Sequence, residues 1–163
     1  MVKDMRLETK RLIIRPYVED DLMGCFQLMQ NKDLFTYMNM DVMPLEEYKG
    51  LFRWLIDSYQ TGVDGDFKYS FNVILKETDA HIGWVGIGGV DFDHSVKEIF
   101  WLMGKEYWNH GYASEAASAL LEYSFNIIGL KYQSVVEGRS VEHAYYNGEL
   151  LFSLTRAEYQ GIV

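Results

Sequence analysis

Phe100-Trp101-Leu102-Met103-Gly104-Lys105-Glu106-Tyr107-Trp108-Asn109-His110-Gly111-Tyr112-Ala113-Ser114-Glu115-Ala116 carries an apolar strand through a short turn into a helix that opens on small residues. Lys97–Met103 is predicted as the strand. Side-chain alternation puts Glu98, Phe100 and Leu102 on one face and Ile99, Trp101 and Met103 on the other. The helix is predicted over Ala113–Ile128, where Ala116, Ala117, Leu120, Leu121 and Ser124 form one stripe and Gly129 stops it. Read locally, Gly111 marks a turn and the alanines pack the helix on a sheet. The same residues also suit an anion. Small side chains let a ligand approach the backbone, and the free N–H groups of a helix N-terminus favour a group such as pyrophosphate.

Outward from this segment the chain reads as one mixed α/β (α+β) domain over residues 1–163. Leu7–Tyr17 is predicted as a strand centred on Leu12, Ile13 and Ile14. Glu19-Asp20-Asp21 then opens a helix to about Gln30, and a second helix runs from Pro44 through Tyr59 to a stop at Gly62. Phe67, Tyr69, Phe71, Val73 and Leu75 alternate with polar residues as in a half-buried strand, and His81–Val90 is a glycine-studded one. Beyond the long helix, Tyr132–Val136, Arg139–Tyr146 and Glu149–Leu154 are strand-like, with Asn147-Gly148 as a tight hairpin turn between the last two. The order β-α-α-β-β-β-α-β-β-β predicts a mostly antiparallel sheet of about six to seven strands flanked by helices.

Composition narrows the function classes. A formal charge of −9 argues against nucleic acid, whose phosphates need a basic surface, and suits a cationic acceptor such as an amine or basic peptide. No apolar run reaches the roughly 18–20 residues of a membrane span. Met1–Arg6 leads into a strand pattern rather than an apolar leader, so a cytoplasmic location is expected. The single cysteine, Cys25, excludes an internal disulfide and a cysteine-built metal site. Asp91, Asp93 and His94 read as a polar loop rather than a metal site, and no metal is expected. A Gly-x-x-x-x-Gly-Lys-Ser/Thr phosphate loop is absent, which sets a conventional nucleotide-binding role aside.

Glu98-Ile99 and Tyr107-Trp108-Asn109-His110-Gly111-Tyr112-Ala113-Ser114-Glu115-Ala116 resemble the acetyl-CoA motif of the GNAT superfamily of N-acyltransferases. That motif reads Gln/Arg-x-x-Gly-x-Gly/Ala; Trp108 stands at its first position and Gly111 and Ala113 at the small ones. Leu7–Pro16 is similar to the opening of the branch that includes ribosomal-protein N-terminal alanine acetyltransferases, and Ile82-Gly83-Trp84-Val85-Gly86 to that branch's third strand. The resemblance covers most of Arg6–Val136 and resumes at Glu137–Tyr159.

It implies acetyl-CoA as cosubstrate. Backbone groups of Trp101, Leu102 and Met103 would pair with the pantetheine arm. N–H groups of Asn109, His110, Gly111, Tyr112, Ala113 and Ser114 would hold the pyrophosphate, with the Ser114 hydroxyl as a further donor and Trp108 contributing mainly through its backbone. The His110 side chain reads either as a solvated loop residue or as a phosphate contact or proton donor. The acceptor would be a primary amine: a protein N-terminus, a lysine, a polyamine or another small amine. Such an amine, with a pKa near about 10.4 if lysine-like, must lose a proton before it attacks. Glu98 matches a glutamate that this branch often carries there, and is the candidate base; the alternative is an exposed sheet position. A backbone N–H near Met103 would steady the thioester oxyanion.

The chain departs from the family after Tyr132–Val136, where a helix normally follows. Here Val136 runs directly into Glu137-Gly138-Arg139-Ser140, and the strands up to Val163 leave no run of about ten residues for that helix. Its absence would uncover one sheet face, which a homodimer exchanging C-terminal strands could bury. A non-catalytic acyl-CoA-binding or dimerisation module is the alternative to an active transferase.

Overall fold

The computed structural model describes residues 2–36, 40–63, 66–90, 93–128, 130–135 and 150–154. Leu7–Glu8 (β1) and Leu12–Arg15 (β2) pair antiparallel, with Leu7 opposite Ile14. The single strand expected over Leu7–Tyr17 is therefore a hairpin. Thr9 makes the turn: its N–H donates to the Leu12 carbonyl at 3.0 Å and its hydroxyl accepts from the Leu12 N–H at 2.9 Å. Arg11 lies inside that turn.

Three further antiparallel pairings follow in chain order among the described residues as Lys68–Leu75 (β3), Ala80–Val90 (β4) and Asp93–Met103 (β5) join β1 and β2. Leu130–Val135 (β6) and Leu150–Leu154 (β7) lie beyond them, in the sheet order β1-β2-β3-β4-β5-β7-β6. The α/β architecture with an antiparallel sheet is as expected. Arg139–Tyr146, the Asn147-Gly148 turn, the stretch where the family helix would fall, and Asp91 lie outside the described residues. The dimer expectation rests on that same part of the chain.

Glu19–Asp21 is a 3-10 turn that leads into a short helix, Leu22–Leu28 (α1), and Leu45–Ser58 (α2) follows an extended Pro44. Between them Lys32–Phe35 forms a 3-10 turn that burial of Leu34 and Phe35 anchors. Tyr112–Tyr123 (α3) packs against β4 and β5 through buried Ala116, Ala117 and Leu120. It ends before the expected Ile128. From Ser124 the backbone widens into a π-turn, where the Ser124 hydroxyl donates to the Leu120 carbonyl at 2.6 Å and competes with the helical ladder. No helix among the described residues is long and apolar enough to cross a membrane.

Aromatic packing ties α2 to the sheet. The Tyr59 ring stacks on Phe71 at 5.9 Å, and its hydroxyl accepts from the Tyr17 N–H and donates to the Ser70 carbonyl. Contacts of this kind add about 0.5–1.5 kcal/mol beyond the area they bury. The glycines of β4 have a spatial reason: the Phe100 ring lies on Gly86 and the Lys68 side chain on Gly88, where any Cβ would collide.

A polar pocket sits beside this core. His81 Nδ1 bonds the Asn72 carboxamide oxygen, while its buried Nε2 has no partner among the described residues. Desolvation pushes its pKa down to about 4. The native state thus binds fewer protons than the unfolded chain between about pH 6.5 and 4, so stability present above pH 6.5 drains away as pH falls through that window. The ceiling is about 3 kcal/mol. Urea midpoints of the wild type and His81→Gln at pH 7.5 and 4.5 should show a smaller acid loss in the variant; equal losses would clear His81 of the effect.

Candidate functional site

β5 is where the sheet divides. Among the described residues, β7 pairs with it only at Val96 and Lys97. The Gly104 N–H donates to the Ile82 carbonyl at 2.9 Å, which fixes the phase of the β4–β5 ladder. Antiparallel alternation then turns the peptide groups of Glu98, Phe100 and Leu102 toward β4 and those of Ile99, Trp101 and Met103 away from it. From Ile99 onward those outward groups meet no strand among the described residues. Among the described residues the Trp101 peptide and the Met103 N–H therefore face an open edge, whereas the Leu102 peptide is spent on Trp84, which sequence alternation alone does not reveal.

The edge opens into a cleft of about 580 Å³ lined by Leu34, the Trp101–Met103 strand end, Tyr107, Trp108, Asn109 and the Gly111–Ser114 turn. Trp101 and Trp108, both in the cleft lining, are 49% and 41% exposed. The Trp108 indole N–H donates to the Met103 carbonyl at 2.7 Å, so this residue joins loop to strand through its side chain as well as its backbone. Leu34 comes from a 3-10 turn that no sequence pattern marked.

The loop itself holds two left-handed residues, Asn109 at φ 63° and Gly111 at φ 77°. Such residues turn successive N–H groups into a concave cradle for anions. Gly111 caps α3, whose first intrahelical bond runs from the Glu115 N–H to the Gly111 carbonyl at 3.1 Å. The N–H groups of Tyr112, Ala113 and Ser114 precede that bond and stay available. The His110 ring stacks on Tyr112 at 5.6 Å, and its Nδ1 lies 2.7 Å from the Trp108 carbonyl, so its side chain is occupied within the loop.

Behind the loop stands a network that sequence reading missed. Glu115 accepts from the Thr9 hydroxyl at 2.5 Å, the Arg11 N–H at 2.9 Å and Arg11 Nε at 2.6 Å. Desolvation opposes its charge, but the bonds from Thr9 and Arg11 outweigh this and hold the carboxyl below its usual range.

Glu98 lies opposite Gly88, one residue past the last β5–β7 pair, and is 5% exposed. Lys68 Nζ stands 3.9 Å from its Oε1 and 5.2 Å from the Phe100 ring centroid. The exposed-sheet reading of Glu98 is thus wrong: it is buried beside a counter-charge at the fork. Asp93 and His94 open β5, and no group of three metal-ligating side chains occurs among the described residues.

Residues 11–140 match the acetyltransferase (GNAT) domain family. The uncharacterized N-acetyltransferase YnaD of Bacillus subtilis (strain 168) is 32% identical over 126 residues, 77% of this chain and 69% of that protein. An acetyltransferase (GNAT family) from Bacillus anthracis superposes with a TM-score of 0.62 at 26% identity, covering 78% of this chain and 70% of that one. The fold also matches a spermidine N-acetyltransferase from Vibrio cholerae solved with CoA and spermine, with a TM-score of 0.60 at 17% identity over 93% of this chain and 99% of that one.

Proposed function

Because the chain belongs to the acetyltransferase (GNAT) family, we propose that it moves the acetyl group of acetyl-CoA to a primary amine by direct attack, with Glu98 as base. The observation that carries this reading is the divided sheet: a free strand edge runs into an anion cradle at the N-terminus of α3. An extended ligand with amides in its middle and a pyrophosphate at one end suits that layout. Its amides would pair with the Trp101 and Met103 peptides, and its phosphates would meet the N–H groups of Asn109, His110, Gly111, Tyr112, Ala113 and Ser114. The Ser114 hydroxyl is a further donor, and Leu102 and Trp108 form the wall.

The chemistry balances with few groups. The amine nitrogen forms a bond to the thioester carbonyl carbon and gives a proton to Glu98, directly or through water. The C–S bond breaks, and the thiolate takes up a proton. An outward backbone N–H of this strand would steady the carbonyl oxygen as charge builds on it. A cationic acceptor agrees with the charge of −9. Polyamines and the N-termini of basic proteins are the classes to try first.

Saturating CoA should raise the melting temperature by roughly 5–10 °C if it is supplied at about a hundred times its dissociation constant. No rise would sink the proposal. Thiol release from acetyl-CoA across a panel of amines then separates a transferase from a binding module, since binding without release on any amine would favour the latter.

A further inference from the structure

We infer that Arg11, from the β1–β2 turn, is the positioning residue of the phosphate-binding loop, and that Glu115 exists to aim it. The inference rests on the CoA site proposed above.

Arg11 reaches the loop from the β1–β2 turn and holds it at two places, His110 and Tyr112. Its Nη1 donates to the His110 carbonyl at 2.9 Å, its guanidinium lies 4.5 Å over the Tyr112 ring, and its Nη2 would sit 3.6 Å from a Cβ at Gly111. Neither Arg11 nor Glu115 lines the cleft. The peptide group is planar and trans, so its C=O and N–H point in opposite directions. Holding the His110 carbonyl toward Arg11 therefore turns the Gly111 N–H away from it, and Gly111 is itself a lining residue of the cleft. The guanidinium over the Tyr112 ring adds a second hold on the same loop.

Glu115 makes this grip rigid. It accepts from the Arg11 N–H at Oε1, where the Thr9 hydroxyl also donates, and from Arg11 Nε at Oε2. A guanidinium can give Nε to Glu115 and Nη1 to His110 at once because its donors are held in one plane; an ammonium cannot copy that fork. The arrangement also explains how a loop without a lysine or arginine between Trp108 and Ser114 can stay ordered around an anion. The order comes from a neighbouring turn about a hundred residues earlier in the chain.

Calorimetric titration of Arg11→Gln, Arg11→Lys and Glu115→Gln with CoA, 3′-dephospho-CoA and pantetheine tests the inference. Arg11→Gln should weaken CoA and 3′-dephospho-CoA by about the same factor, roughly tenfold, and leave pantetheine unchanged, because only the first two carry the pyrophosphate. Arg11→Lys should fail to rescue, and Glu115→Gln should give a smaller loss of the same pattern. Full rescue by lysine would show that charge rather than geometry matters and would overturn the inference. So would equal weakening of pantetheine, which signals general damage, or unchanged CoA binding by Arg11→Gln. If the unsubstituted protein does not bind CoA, the functional proposal itself falls and takes this inference with it.

Discussion

Glu98→Gln should lower turnover about a hundredfold while leaving CoA affinity within about twofold. The substitution preserves shape and a hydrogen-bonding oxygen but removes the carboxylate proposed to take the proton from the attacking amine. Proton transfer by a positioned side chain commonly contributes about 10²–10⁴ in rate. Binding should be spared because Glu98 turns its peptide toward β4 and lies outside the cleft lining, whereas Trp101, Met103 and most of the loop line the cleft. Its placement one residue past the last β5–β7 pair puts it at the apex of the divided sheet. Stopped-assay thiol release and calorimetry on the same preparation separate the two quantities. Parallel loss of both would make Glu98 a partner of Lys68 in holding β3 to β5, and nothing more.

Gly83→Ala should cost about 3 kcal/mol of stability, a melting temperature lower by roughly 6–12 °C, and weaken CoA as well. Gly83 faces Met103 across the β4–β5 ladder at φ 158°. A Cβ there would stand 2.8 Å from Met103 Sδ and 2.9 Å from Met103 Cα, and would overlap the Leu102 carbonyl. Two of those neighbours are backbone, so relief requires β5 to move at the end that forms the cleft. Gly50→Ala is the control. Its Cβ would meet nothing within 4 Å, and within α2 alanine is favoured over glycine by about 1 kcal/mol, so that variant should gain stability. Equal effects at the two glycines would contradict the packing account.

Most of the architecture was legible because it follows from periodicity. Alternation over Phe67–Leu75 and Lys97–Met103 marked two strands, and the apolar stripe of Ala116, Ala117 and Leu120 marked α3. However, β3 is buried on both faces, Ser70 and Asn72 included, rather than half-buried as expected. What escaped were local events with no period. Thr9 breaks a strand by bonding Leu12, and Ser124 unwinds a helix by bonding Leu120. The site divides in the same way. Asn109–Ser114 announced itself through glycine and small residues next to a strand. Arg11 and Glu115 did not, because a salt bridge across 104 positions has no signature in one sequence. Arg11 sat inside a quoted motif and Glu115 inside another, yet only the fold shows that they meet.

The divided sheet also has a colloidal side. Peptide groups turned outward along a strand are a template for any other extended chain, and sheets that keep such an edge open are prone to edge-to-edge assembly. A ligand lying along Ile99–Met103 would close that template, so occupancy and solubility become one variable. The charge of −9 then acts as a guard for the empty state, keeping like molecules apart when the edge is bare. That guard weakens as salt rises or as pH falls toward the sequence pI of about 4.8.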